Sequence, residues 1–237
     1  MEHPKYAGVT VGIPVGPFPS NVKWLRETLD SVADQTVSPK ELLILDDMAG
    51  CRDRVDRWIV ERKPPFEVRV WEAPWHIGSS CAVNFIMGLS RTELVVHVCS
   101  DDLLAPTAVA DTINAWAGPD ALYWFDVAYV DDVRPAQSLP CGCSAITKTL
   151  WRKLGGIPPE AAVGHADTIY MSVLLTYGEK LGLTLRRVPS AGPLTFVRIH
   201  DDIDASKRWR AGFGGVIHEV RTIITNTWQP PQWGRMP

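Results

Sequence analysis

Apolar runs alternating with amphipathic stretches predict an α/β fold: a mostly parallel, Rossmann-like sheet flanked by helices, followed by a more irregular second half. Three observations carry this expectation. Four β-rich runs begin at Val9, Glu41, Glu67 and Glu93, and each pair is separated by a segment whose apolar residues recur at helical spacing. Two of these runs end in paired aspartates, as strands of an open sheet do where a ligand crevice begins. No low-complexity linker or composition break divides the 237 residues, of which 46% are hydrophobic and 22% charged, so a single domain is expected over 1–237.

Val9 to Val15, VTVGIPV, reads as a buried central strand because its apolar run stops at Gly16-Pro17-Phe18-Pro19. Ser20 or Asn21 is placed to cap the next helix, on which Val22, Leu25, Leu29 and Val32 share a face. The strand Glu41 to Leu45 runs into Asp46-Asp47, completing one βαβ unit. A helix presenting Val55, Trp58 and Ile59 follows, then Pro64-Pro65 and an alternating strand from Glu67 to Trp71. The loop APWHIG, Ala73 to Gly78, leads to a helix opened by Ser79, with Ala82, Phe85, Ile86 and Leu89 expected inward.

Beyond Asp102, a helix from about Pro106 to Trp116 is expected to turn Val109, Ile113 and Trp116 toward the sheet. A long strand from Ala121 to Val130 then runs into Asp131-Asp132. Later signals are shorter: a helix holding Leu150, Trp151 and Leu154, the breaker Gly155-Gly156-Ile157-Pro158-Pro159, and a helix from His165 to Tyr177 with Asp167 in its first turn. Two β-rich pieces, Leu183 to Val188 and Leu194 to His200, precede an amphipathic helix around Val216 to Ile224.

A formal net charge of -3 provides no general attraction for nucleic acid or anionic membrane. No apolar run approaches the roughly 20 residues that cross a bilayer, and MEHPKYAG lacks a signal-peptide core, so a cytoplasmic protein is expected. The five cysteines, Cys51, Cys81, Cys99, Cys141 and Cys143, are odd in number and lie mostly in apolar stretches, as reduced thiols do. The C-G-C of Cys141 and Cys143 has neither the gap nor the second ligand pair of a common zinc site.

The stretch Glu93 to Leu104, ELVVHVCSDDLL, organises the rest. It reads as a buried strand delivering Asp101 and Asp102 to its own carboxyl end. Adjacent carboxylates repel unless compensated, and a hard divalent cation compensates them well. The plainer alternative is that one of them caps the following helix, with Pro106 in its first turn.

Several separated pieces together resemble a known family. VTVGIPV resembles the first nucleotide-binding strand of the family-two inverting glycosyltransferases of the GT-A fold, and ELLILDD is similar to their second. HIGSSCAVNFIMGLS resembles the family's N-x-G-x-x-x-A-x-N-x-G loop and helix, and VCSDD stands where it places its D-x-D or x-D-D metal motif. GGIPPEAAVGHADTIYMSVLL resembles the G-G segment followed by an acidic catalytic motif, and FVRIHDDIDAS a C-terminal Arg-x-His segment. The match spans roughly residues 9 to 206, and its strength lies in the shared order. Departures are His76 for Asn, Ala166 for Glu, and Met48-Ala49 for Gly-Ser.

The resemblance implies a nucleotide-binding half over 1–104 and an acceptor-binding, catalytic-base half over 105–237. It implies a nucleotide diphosphate sugar donor, UDP-type favoured, a divalent cation, Mn²⁺ or Mg²⁺, and transfer with inversion to an acceptor that the residues do not name. Asp102 becomes the direct metal ligand, with His200 a second candidate, and Asp101 a donor or metal contact. Asp47 becomes the reader of the base, since a carboxylate accepts an imide N–H. Pro14 and Val15 line the same pocket, beside His76 and Gly78. Asp167 becomes the general base. On residues alone, Asp47 caps a turn and Asp167 complements a helix dipole equally well.

Arg198 and the cluster Lys207, Arg208 and Arg210 are candidate phosphate contacts or a solvated basic face. Trp58 and Trp116 fall on apolar helical faces, whereas Trp75, Trp209, Trp228 and Trp233 are candidates for shaping a sugar site. A sugar nucleotidylyltransferase would need a Gly-rich loop with Arg after the first strand, which IPVGPFPS lacks. A dinucleotide dehydrogenase would need G-x-G-x-x-G there. A catalytically silent binding protein on the same fold stays open.

Overall fold

Strand β1 (Val9–Val15) is buried because it has a strand on each side and helices over both faces. The computed structural model describes residues 8–130, 144–157 and 182–198. Its central sheet also contains β2 (Glu41–Asp46), β3 (Glu67–Glu72), β4 (Leu94–His97), β6 (Ala121–Trp124), β8 (Ser144–Thr147) and β9 (Thr184–Arg187), in the order β3-β2-β1-β4-β8-β6-β9. Four of the pairings are parallel, and β8 alone runs against both of its neighbours.

Helices α1 (Pro19–Lys23), α2 (Leu25–Ala33), α3 (Arg52–Arg62), α4 (Ser79–Leu89), α5 (Ala108–Asn114) and α6 (Lys148–Leu154) cover the sheet. Alternation along the strands builds two cores. Leu42, Ile44, Leu94 and Val96 face Leu25, Leu29, Val32, Val55, Trp58 and Val109. Leu43, Leu45 and Val95 face Ala82, Ile86, Leu150, Trp151 and Leu154. Each buried Leu, Ile or Val among them contributes about 1.5–3 kcal/mol by leaving water. Gly12 makes the second layer possible, since a Cβ there would lie 2.4 Å from Ile86 Cγ2.

Several expectations are corrected. The first expected helix is two, divided at Trp24 (φ -99°, ψ -6°), and neither Ser20 nor Asn21 caps it: Phe18 holds the cap position, Pro19 starts the helix and Ser20 is buried. The strand expected from Ala121 to Val130 breaks at Phe125-Asp126, where the Asp126 carbonyl accepts the amides of Leu194 and Thr195. Its second part, β7 (Val127–Tyr129), joins β5 (Leu103–Leu104) and β10 (Thr195–Val197) in a separate sheet of order β5-β10-β7. Phe85 does not point inward; it is 41% exposed and stacks on Trp71 of the edge strand at 4.8 Å.

Helix α5 starts at Ala108 with Thr107 in the cap position, six residues past Asp102, so neither Asp101 nor Asp102 caps it. The expected helices at 165–177 and 216–224, together with Asp167, His200, Cys141, Cys143, Trp209, Trp228 and Trp233, lie outside the described residues. Among the described residues, Cys51 and Cys81 are free thiols, and no helix is long and apolar enough to cross a membrane.

Candidate functional site

The parallel register carries the ends of β1, β2 and β4 to one edge of the sheet. At the end of β2 the two aspartates divide the work. Asp46 ties the turn that follows: Oδ1 accepts the amides of Ala49 (2.7 Å) and Gly50 (3.1 Å), and Oδ2 accepts that of Cys51 (2.7 Å). The turn places Met48 at φ 65°, a left-handed conformation that a Gly adopts freely and a side chain does not.

Asp47 faces the other way. Its amide donates to the Val15 carbonyl, its Oδ1 accepts the Ile77 amide at 2.7 Å, and its Oδ2 accepts the Gly78 amide at 3.0 Å and meets His76 Nδ1 at 2.8 Å. The carboxylate is 2% exposed. Asp47 therefore holds the loop that opens α4, with Gly78 at φ 79° preceding the helix and Trp75 68% exposed beside it. The turn-capping contacts are made by Asp46, and the Asp47 carboxylate lies under residues 76–78, accepting the Ile77 and Gly78 amides.

Across β1, the chain leaves β4 in a turn closed by the Asp102 amide on the Cys99 carbonyl (3.2 Å) and by Thr28 Oγ1 donating to the Ser100 carbonyl (2.9 Å). Ser100 and Asp102 are buried and Asp101 half-buried. Ligand atoms of Cys99, Asp101 and Asp102 lie within 4.8 Å of one another. Hard divalent ions prefer oxygen, so the two carboxylates fit Mg²⁺ or Mn²⁺, and the Cys99 thiol adds no favoured ligand for them.

Arg198 closes the turn from the far end of the chain. Its amide donates to Asp102 Oδ1 (3.0 Å), its Nε to the Asp101 carbonyl (3.3 Å) and its Nη2 to Glu27 Oε2 (2.6 Å), while its guanidinium lies 3.9 Å from the Trp24 ring centroid. Only 7% exposed, it belongs to no solvated basic face. No local pattern announces that Trp24 and Glu27 hold it, because a helix break decides where those side chains point.

On the opposite face of the sheet, Asn84 of α4 binds the G-G segment. Its Oδ1 accepts Trp151 Nε1 (2.9 Å) and the Ile157 amide (2.8 Å), and its Nδ2 donates to the Ile157 carbonyl (2.9 Å). Gly156 at φ 83° allows this, since a Cβ there would come 2.9 Å from Asn84 Oδ1.

These features make the carboxyl edge of the mostly parallel sheet the candidate ligand site, with one carboxylate arranging a loop and two more on an adjacent turn. The profile of "Glycosyl transferase family 2" matches residues 19–166, and the chain belongs to that family. No characterised protein in a curated collection matches the sequence.

Solved structures share the fold. The mannosyltransferase PcManGT from Pyrobaculum calidifontis, in complex with GDP-Man and Mn²⁺, superposes with TM-score 0.68 at 21% identity over 98% of this chain and 68% of its own. Staphylococcus aureus TarS 1-349 in complex with UDP gives 0.62 at 15% identity over 81% of this chain and 60% of its own. GalNAc-T7 with UDP, GalNAc and Mn²⁺ gives 0.58 at 14% identity over 84% and 44%. The chain thus spans 60% or less of the latter two.

Proposed function

We propose that this protein transfers a sugar from a nucleotide diphosphate sugar, of the UDP type, to an acceptor hydroxyl, with inversion and with a divalent cation. The observation that carries the reading is the placement of Asp47 and its loop on one side of β1 and of Asp101 and Asp102 on the other, at one sheet edge. Strands about 4.8 Å apart put the ends of β2 and β4, on either side of β1, about 10 Å from each other. The family membership and the donors named for PcManGT and TarS support it.

In this reading Pro14, Val15, His76 and Gly78 line the nucleotide pocket, and Asp47 shapes it by fixing the loop over residues 76–78. Asp102, with Asp101 beside it and His200 as a further candidate, would hold Mn²⁺ or Mg²⁺; when bound, the ion neutralises charge growing on the leaving diphosphate. Asp167 accepts the proton of the attacking hydroxyl from the face opposite the leaving group, which produces inversion. The acceptor is a glycan, lipid carrier, protein or modified nucleic acid.

A panel of nucleotide sugars screened by thermal shift, followed by donor turnover with and without Mn²⁺, tests the function. Stabilisation by a UDP-sugar and Mn²⁺-dependent turnover are expected, because a ligand raises apparent stability by mass action. Binding without turnover toward any acceptor class would instead make this a silent binding protein. Asp102→Asn is expected to remove nearly all turnover while leaving Tm close to that of the parent.

A further inference from the structure

We propose that Arg198 is a positioning residue for the Ser100-Asp101-Asp102 turn, clamping it so that the Asp102 carboxylate keeps one orientation toward a divalent cation. The inference rests on the metal reading above and deepens it by naming what aims the ligand.

Four contacts converge on this residue. The backbone amide holds Asp102 Oδ1 at 3.0 Å, and the side chain reaches the Asp101 carbonyl, Glu27 and the Trp24 ring. A hydrogen bond to one oxygen of a carboxylate fixes the plane in which the other is presented, which is how outer partners orient metal ligands. That amide is in place only while the end of β10 is in place. Strand β10 is three residues long, and Arg198 directly follows it. The guanidinium therefore anchors the segment that carries the aiming N–H.

The anchor is specific to arginine. A planar guanidinium can lie on an indole face and donate along its edges in two directions at once, whereas an ammonium is a single point charge. Trp24 and Glu27 are supplied by the break between α1 and α2 and by the first turn of α2. Thr28, one residue on, donates to the Ser100 carbonyl, so α2 grips the same turn independently. The start of α2 and the end of β10 thus form one jaw around the two carboxylates, and Arg198 is committed to the protein rather than to a phosphate.

The test uses the full chain and the variants Arg198→Ala, Arg198→Lys and Glu27→Gln, with Asp102→Asn as control. Mn²⁺ affinity is read by electron paramagnetic resonance without donor, and amide exchange over residues 99–104 is read in metal-free protein. Arg198→Ala is expected to weaken Mn²⁺ at least about tenfold, in the range for lost outer partners, and to speed exchange over 99–104 while β1 and β2 exchange as before. Arg198→Lys should restore only part of both, and Glu27→Gln should fall between wild type and Arg198→Ala.

A folded Arg198→Ala protein with wild-type affinity and exchange overturns the proposal. Should Arg198→Ala not fold, Glu27→Gln decides, since Glu27 is half exposed and its replacement leaves the core intact; unchanged affinity and exchange there overturn it equally. If the wild type binds no Mn²⁺, the metal reading falls, and the exchange data alone decide whether the clamp exists.

Discussion

The side chain of Asn84 and the backbone of Ile157 bind each other at both ends: the side-chain N–H donates to the carbonyl at 2.9 Å, and the side-chain oxygen accepts the amide at 2.8 Å. A helix over one end of the sheet is thereby joined to the segment that continues toward Asp167. Asn84→Leu keeps the branching of the side chain but leaves the Trp151 N–H and the Ile157 amide without their acceptor and the Ile157 carbonyl without its donor, a loss of about 1–3 kcal/mol for each buried group left unpaired. We expect a lower Tm and a fall in kcat for transfer larger than the change in donor KM, measured by thermal melts and steady-state kinetics.

Asp47→Asn tests the loop. One amide-side oxygen can still accept the Ile77 N–H, but the NH₂ group then opposes the Gly78 N–H or His76. The loop over 76–78 should loosen and UDP affinity should fall about tenfold or more by calorimetry, equivalent to about 1.4 kcal/mol. His76→Ala, at an exposed position, should cost less.

The amino edge of the sheet makes a pH prediction. Glu41 is 1% exposed, and its carboxylate accepts Thr10 Oγ1 (2.7 Å), the Arg91 amide (2.7 Å) and Arg69 Nη1 (2.9 Å). Burial pushes its pKa up, but these hydrogen bonds and the Arg69 charge outweigh burial and hold it below the usual glutamate value. A carboxyl whose folded pKa is depressed stabilises fully above its unfolded pKa, about 4.3, and loses that contribution as pH falls through the folded value. Melts across the acid range should show Tm falling below about pH 4.5, with a shallower slope in Glu41→Gln, which should also melt lower at neutral pH.

Gly12→Ala is expected to destabilise by about 1–3 kcal/mol through overpacking against Ile86. Ile86→Ala made in the same chain should recover part of that loss, because the two positions touch and their effects do not add. Urea denaturation of the two single variants and the double variant measures the coupling.

Much of the fold over residues 8–104 is legible in the sequence. β1, β2 and β4 are apolar runs bounded by Gly-Pro or Asp-Asp, α4 opens at the expected Ser79, and α3 and α6 carry the apolar residues expected on them, because local periodicity and turn chemistry set them. What was not legible depends on residues far apart in the chain. The break at Phe125-Asp126 follows from Leu194 and Thr195 taking the Asp126 carbonyl, and no local pattern announces that partner. In the sequence Asp47 stands out from the Asp46-Asp47 pair, and only the fold shows that Asp46 ties the turn while Asp47 faces the loop after β3. Arg198 reads as a phosphate contact or as part of a solvated basic face, because a charge in an Arg-x-His segment carries no sign of the indole it packs on.

The contact between Glu27 and Arg198 joins positions 171 residues apart, and that between Asp102 and Arg198 joins positions 96 apart. Such closures are slow to form and come after the local pairings of β1, β2 and β3. During synthesis from the N-terminus, the sheet edge and its aspartates emerge well before the residue that clamps them. The turn that carries Asp101 and Asp102 therefore waits for a residue 96 positions further on, so its closure follows the folding of the strands that present it.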